Sequence, residues 1–388
     1  MVETNENNTV VDKRLGLRLY IKQQPVMLAL LAAFGVLFFL AVAGLSKAYH
    51  ARREGLGERW FSRGVTDLNA KRYDGAVNEF RSALLYSRDN YDYQLNLAEA
   101  LIGLKRTGEA YSYLVNLWDE EPENGVVNLE LARIAAERAQ TDQAQRYYHN
   151  AIYAVWPGNG EDRRRETRLE LIEYLLNINA RAQAQAELIA LEENLGEDPV
   201  QQRRVGELFL QAQDYEHALA AYRSSLKVTR HNEAALAGAG WAALELGQYT
   251  VAERYLQAAL AEDPGDVASA ERLKATQLVL RMDPFRLGIS AEERRRIVLE
   301  AFGIAGQRLS SCATSKGAAA TTAGPSLAEN WTKMKPRMSQ QEMRRDPDLV
   351  ENAMELVFEV ERQTSATCGN ASGADEALLL ISQSHEVN

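Results

Sequence analysis

Cysteine is almost missing from this 388-residue chain, which has only Cys312 and Cys368. A scaffold held together by several disulfides is therefore excluded. Histidine is scarce as well. His50, His149, His217, His231 and His385 form no helical ligand pair with one another or with the cysteines, so no zinc or other metal site is read. Positive charge is in deficit, with 44 Lys and Arg against 54 Asp and Glu, a net charge of −10. That balance leaves no broad phosphate-neutralising face and argues against a nucleic-acid partner. Chemistry-bearing motifs are also lacking. Gly238-Ala239-Gly240-Trp241-Ala242-Ala243 imitates a dinucleotide fingerprint but has no strand before it. Gly103 to Gly108 copies half a phosphate loop, but Glu109 and Ala110 follow where Lys and Ser or Thr belong. No nucleophile elbow is present. The reading is a protein that is not an enzyme and needs no cofactor.

Charge vanishes altogether between Pro25 and Leu45, in PVMLALLAAFGVLFFLAVAGL. A helix of that length, at 1.5 Å per residue, spans about 30 Å, the thickness of a bilayer core. The run predicts a transmembrane helix over 25–45, after a disordered polar tail over 1–24 and before a juxtamembrane linker over 46–56. A cleavable signal is the alternative, since Ala41-Val42-Ala43 offers small residues at cleavage-like spacing. The long polar leader and the length of the run favour an uncleaved anchor. Lys13, Arg14, Arg18 and Lys22 precede the span, and Lys47, Arg52, Arg53 and Arg59 follow it, so charge sets the orientation weakly. The short tail is placed in the cytoplasm and the bulk of the chain outside it, in the periplasm or another extracytoplasmic space.

What fills the middle of the chain is a repeat. Small residues stand at Ala76, Ala110, Ala144, Ala184, Ala218 and Ala252, spaced 34 apart except for one step of 40. Four residues after each comes Phe80, Leu114, Tyr148, Leu188, Tyr222 or Leu256, and seven after comes Ala83, Leu117, Ala151, Leu191, Ser225 or Ala259. Twelve before each stands Gly64, Ala98, Ala132, Ile172, Gly206 or Gly240. Pro122 and Pro264 close their units in phase, and Pro157 falls one residue late. Apolar residues recur at three and four, which predicts helices. The six extra residues of the long step fall around Gly158 to Asp162 and predict a longer solvated loop.

This 34-residue pattern resembles the tetratricopeptide repeat, a helix–turn–helix unit. Tyr73, Tyr215 and Tyr249 match the family's turn-proximal tyrosine, and Trp60 its early aromatic. The resemblance covers residues 57–264 as six units: 57–90, 91–124, 125–158, 165–198, 199–232 and 233–266. It implies an all-α fold, a right-handed α-solenoid whose units gain stability by stacking. Val267 to Leu280 reads as a capping helix, within a segment bounded at 265–282, because Arg286 replaces the next small residue. The family lines its concave face with the first helix of each unit. Carried onto this chain, that groove holds Phe61, Val65, Leu68, Leu95, Glu99, Ile102, Glu137, Glu173, Glu207, Trp241, Leu244 and Glu245. Its apolar and acidic character fits a protein partner with a basic or amphipathic segment. The alternative is that the apolar members pack against neighbouring helices while the glutamates merely solvate the surface. Trp241 poses the question most sharply, as a groove residue or as one covered by the chain beyond the array.

After Met282 the composition shifts. Ser290 and Glu293 form a capping box for a helix over about 291–309, residues 310–328 read as a low-complexity linker, and Asp346-Pro347 starts another helix. A short helix is read near 374–382. These pieces of 283–388 look too small for a core of their own and are expected to dock on the last units. A dimerising arm is the alternative, and the oligomeric state is left open. A bridge between Cys312 and Cys368 would close a loop worth about 4 kcal/mol by chain entropy. It would require an oxidising compartment, and two unrelated thiols are the alternative. The functional expectation is a membrane-anchored interaction scaffold at the cell envelope, with a role in assembly, secretion or chaperoning. A structural subunit packed permanently in a membrane complex is the competing reading.

Overall fold

The apolar spacings of the array, broken only by turns and unit-end prolines, become helices in pairs. A computed structural model describes residues 8–156, 158–193, 195–316 and 325–386. Among the described residues there are no strands, only one isolated bridge between Asn124 and Val155. The pairs are α1 (Asn8–Asn69) with α2 (Tyr73–Leu84), α3 (Tyr91–Gly103) with α4 (Thr107–Glu120), and α5 (Gly125–Glu137) with α6 (Thr141–Tyr153). Then come α7 (Gly160–Asn177) with α8 (Arg181–Glu192), α9 (Pro199–Gln211) with α10 (Tyr215–Val228), and α11 (Glu233–Glu245) with α12 (Tyr249–Glu262). The chain divides into two compact units, 1–167 and 168–388.

The small residues of the repeat are where paired helices meet. Ala76, Ala110, Ala144, Ala184, Ala218 and Ala252 are all fully buried, and the small residues at Gly64, Ala98, Ala132, Gly206 and Gly240 are buried as well. A Cβ built on Gly64 would lie 2.5 Å from the Phe80 ring, and one on Gly240 would lie 2.7 Å from Leu256 Cγ. Glycine is required there because the partner's large side chain already fills the space. Ile172 takes the equivalent place in the fourth pair and is itself fully buried, packed in one cluster with Leu188 and Leu191.

Two further features repeat in the same phase. Lys71, Lys105, Ala139, Asn179, Gln213 and Gly247 each adopt a positive φ, between 54° and 69°, at the turn between the helices of a pair. Each turn closes with the following amide bonded five residues back, as from Gln248 N–H to Ala243 O at 2.9 Å and from Gln140 N–H to Ala135 O at 2.9 Å. This is the left-handed helix stop that satisfies the last carbonyls. At the opposite end, Asn90, Asn124, Asp198, Asn232 and Asp266 accept amide hydrogen bonds as N-caps of α3, α5, α9, α11 and α13 (Val267–Met282).

Three expectations change. The stretch 8–24, read as disordered, is the start of α1, and residues 1–7 lie outside the described residues. The juxtamembrane segment 46–56 is helix too, because Leu, Arg, Lys, Ala and Glu there all favour helix and nothing interrupts it before Asn69. Finally, the extra residues before the fourth pair lengthen a helix instead of a loop. α7 has 18 residues where α5 has 13. Its added turn is laced by Glu161–Arg164 at 2.6 Å, Asp162–Arg165 and Arg163–Glu166 at 3.4 Å. Pro157 lies outside the described residues.

The C-terminal region corrects the expectation that it lacks a core. It consists of α14 (Ala291–Lys316), α15 (Pro325–Met334), a short 3-10 turn, α16 (Gln340–Arg345), α17 (Asp348–Cys368) and α18 (Ala374–Glu386). Residues 317–324 of the linker read over 310–328 lie outside the described residues, while 310–316 and 325–328 are helical. The buried set includes Val298, Phe302, Trp331, Met343, Met354, Val357, Phe358, Leu378 and Ile381, together with Val279 and Met282 from α13. Phe302 stacks on Trp331 at 3.8 Å. Docking also occurs: Tyr249 of α12 donates its hydroxyl to Leu380 O of α18 at 3.4 Å.

At one end of this core, Cys312 and Cys368 are joined by a disulfide with their Cα atoms 5.6 Å apart. One turn before them, Arg308 reaches Thr364 Oγ1 at 2.8 Å, Gly369 O at 2.9 Å, Glu361 at 3.3 Å and Asp375 at 3.4 Å. Two carboxyls and one guanidinium in a dry site leave one negative charge uncompensated. Both Glu361 oxygens and Asp375 Oδ1 are buried without a hydrogen bond. A proton on Glu361 removes the excess charge. Burial and the Asp375 charge push Glu361 up to about 8, against the pull of Arg308.

Packing and linkage give two expected outcomes. Gly240→Ala should cost about 1–3 kcal/mol by overpacking Leu256, whereas Ala139→Gly should relieve a left-handed alanine and raise Tm by about 2–4 °C. Thermal unfolding by circular dichroism checks both. Because Glu361 titrates higher in the folded chain than its ordinary 4.5, its contribution is full below about pH 4.5 and lost as pH rises through about 8. The urea midpoint should therefore fall more between about pH 5 and about pH 9 in the native chain than in Glu361→Gln.

Candidate partner groove

The twelve groove residues sit on the first helices of their pairs, as repeat phase dictates, and they divide between the two units. Phe61, Val65 and Leu68 lie on α1, Leu95, Glu99 and Ile102 on α3, and Glu137 on α5, all in the first unit. Glu173 on α7, Glu207 on α9, and Trp241, Leu244 and Glu245 on α11 belong to the second.

Several of them are occupied with the protein itself. Phe61 stacks on Tyr93 at 4.8 Å and lies 5.7 Å from the Phe80 ring, so it is a packing residue between α1, α2 and α3. Leu244 and Trp241 pack on the core of the second unit. Arg272 of α13 lays its guanidinium over the Trp241 ring at 4.3 Å, and Trp241 Nε1 donates to Glu245 Oε1 at 3.0 Å. Trp241 is therefore half-covered by the capping helix. Glu207 pairs with Arg203 on its own helix, and Glu173 pairs with Arg204 across helices at 2.8 Å. Three of the acidic residues read as bait for a cation, Glu173, Glu207 and Glu245, are already engaged.

The first unit differs. Val65, Leu68, Leu95 and Ile102 are half-buried, and Glu137 is exposed. Glu99 is half-buried next to Glu130, which Arg133 holds at 2.7 Å. Burial, then the Glu130 charge, raises the Glu99 carboxyl above its ordinary range. The face thus carries a desolvated acid among half-buried aliphatic side chains. Arg133 falls on the first-helix face by repeat phase, whereas Glu130 and Arg272, which also set the charge balance, lay outside the sequence reading. Their signal is weak, since each is one charge among many on a helix surface. Among the described residues no group of three or more metal-binding side chains occurs.

Comparison with known proteins bears on the repeats. Residues 101–154 and 209–276 match one tetratricopeptide-repeat family model, and residues 61–122 match a second. Over those residues the array is built of tetratricopeptide repeats. No curated protein matches the chain. Among solved structures it is similar to YrrB, described as a TPR protein with an unusual peptide-binding site, at 13% identity over 50% of this chain and 96% of that one, with a TM-score of 0.39. It is also similar to Pseudomonas aeruginosa pilF, at 16% identity over 56% of this chain and 97% of that one, TM-score 0.39. PilW, described as a widely conserved type IV pilus biogenesis factor, is 15% identical over 57% of this chain and 98% of that one, TM-score 0.38.

If Phe61 packs the first tetratricopeptide hairpin, Phe61→Ala should lower stability by about 3 kcal/mol. Exposed Glu137→Gln should stay within about 0.5 kcal/mol of the parent. Chemical denaturation of the two variants side by side checks the contrast.

Proposed function

We propose that this chain is a membrane-anchored TPR scaffold that holds a basic or amphipathic protein segment through the first-helix face of its N-terminal repeats. The supporting observation is the Glu99 environment. A half-buried carboxyl beside Glu130, its ionised form disfavoured by burial, becomes favourable when a partner's cation arrives, and half-buried Leu95 and Ile102 flank it with apolar surface. The second-unit acids already ion-paired, Glu173 and Glu207, contribute less, and Glu245 is engaged by the Trp241 indole N–H.

The anchor reading rests on α1. It is long and apolar enough to cross a membrane, and its side chains from Met27 to Leu45 are exposed almost throughout. In water that surface would be an aggregation liability, whereas in a bilayer it is matched. The disulfide between Cys312 and Cys368 supports an oxidising compartment for the bulk of the chain, with the N-terminal tail in the cytoplasm.

Crosslinking and pull-down of the membrane-bound chain tests the scaffold. Glu99→Gln with Glu137→Gln should lower recovery of the bound protein about two- to fivefold per lost ion pair, and Glu173→Gln should leave it unchanged. Recovery unaffected by the first pair would favour a permanently packed structural subunit. Binding should also strengthen as pH rises through the Glu99 titration, because the partner's cation favours the ionised carboxyl, and Glu99→Gln should flatten that profile. For topology, a membrane-impermeant thiol reagent applied to reduced, intact cells should label Cys312 and Cys368. Labelling only after lysis would place the array in the cytoplasm.

A further inference from the structure

An open pocket of about 760 Å³ lies at the tip of the first repeat, lined by Arg53, Arg81, Arg88, Tyr113, Gln94 and Asn116 among others. It is basic in a chain whose net charge is −10, and Asp89 is the one acid in its lining. Arg53 donates to Leu85 O at 3.3 Å and to Tyr86 O at 2.9 Å, which fixes the end of α2 beside α1. Arg81 shares Glu109 with Arg106, at 3.1 and 2.6 Å. Neither Arg53 nor Arg88 takes part in an ion pair among the described residues. Leu85, at the rim, is 79% exposed.

The height of this pocket above the apolar run follows from helix geometry. Arg53 lies eight residues after Leu45 on the same helix, or about 12 Å along its axis. Helix α2 runs back along α1 and ends at Leu84, beside Arg53. The headgroup layer is about 5–7 Å thick on each side, so the tip of the first repeat sits just above it, within the reach of an arginine side chain. Arginine side chains extend from there towards phosphates while their stems stay on apolar surface. Tyr49, 61% exposed and one turn before Arg53, occupies the depth favoured by interfacial aromatics. The exposed Leu85 and Tyr49 gain by leaving water at a lipid surface, and the arginines beside them gain anionic partners there.

We infer that this pocket binds the phosphate of an anionic phospholipid headgroup, so that the first repeat rests on the bilayer and the array is held at a fixed height and angle. The inference rests on the anchor reading of α1. Arg53, Arg81 and Arg88 supply the charge, while Gln94, Asn116 and Tyr113 offer donors within the same lining. Leu85 enters the interfacial layer.

The test uses the full chain reconstituted into vesicles of phosphatidylcholine alone or mixed with phosphatidylglycerol. An environment-sensitive dye is placed on Leu85→Cys, with the native disulfide kept oxidised. In the mixed vesicles the dye emission should shift to the blue relative to phosphatidylcholine alone. Replacing Arg81 and Arg88 by Gln should lower the docked-to-undocked ratio about fivefold per arginine, from the surface attraction of each cation. Both residues are exposed, so circular dichroism should match the parent. Emission that is the same in both vesicles, or unmoved by the double substitution, overturns the headgroup site. Flotation separates this from the anchor. A chain that floats with both vesicles but shows no shift loses only the headgroup site, and a chain that floats with neither loses the anchor and the site together.

Discussion

Everything in the array depends on how closely two helices of a pair can approach. At Gly64 and Gly240 the facing side chain comes so near that no Cβ fits. Ala98 and Ala132, at the equivalent place in the second and third pairs, are fully buried. That approach leaves a hairpin whose outer surfaces remain apolar, and a single hairpin cannot cover them. The next pair must, and so stability comes from neighbours. Phe61 illustrates the consequence. It belongs to the first pair, yet its ring is stacked on Tyr93 of the second. A residue that looks available on the groove side is spent on stacking.

The array was readable because packing of this kind restricts residue size, and size is visible in a sequence. Every position of the small-residue series from Ala76 to Ala252 is fully buried. Backbone demands are less visible. The six left-handed turns share the 34-residue phase, but Lys71, Lys105, Ala139 and Gln213 occupy them beside the more telling Asn179 and Gly247. Tight turns fixed by two flanking helices tolerate a strained residue, so its identity carries little information. The Asn and Asp caps at Asn90, Asn124, Asp198, Asn232 and Asp266 were legible in principle, since capping does require a short acceptor. The lengthened α7 was misread because Gly158, Asn159 and Gly160 look like a loop. Local i,i+3 ion pairs from Glu161 to Glu166 outweigh that signal once the helix has begun.

The C-terminal region shows the limit of judging pieces by length. None of α14 to α18 could bury much alone, yet α13 lends Val279 and Met282 and the set closes on a shared core. The disulfide and the Arg308 cluster sit side by side at one end of it. Arg308 bonds to Gly369, next to Cys368, and to Asp375 in the first turn of α18. The covalent link and the polar cluster thus hold α14, α17 and α18 by the same corner. Since α18 also takes the Tyr249 hydroxyl from α12, the corner bears on how the last repeat is closed. Trp241 belongs to this closure as well, under Arg272 of α13.

Charge on the first-helix face is set by the chain's own arginines. In the second unit, helices that stack with arginines at Arg203, Arg204 and Arg272 neutralise Glu207 and Glu173 and occupy Trp241. An acid already paired offers little to an arriving cation, because the partner must displace a bond as good as the one it makes. In the first unit Arg133 turns to Glu130, and Glu99 bears the cost of burial beside it. Binding free energy comes from what the free protein lacks, and a desolvated carboxyl among half-buried aliphatics lacks a counter-charge. A repeat array with uniform geometry can therefore carry a non-uniform binding face. The difference is set by where its own arginines fall, and in the proposed scaffold it favours the N-terminal repeats.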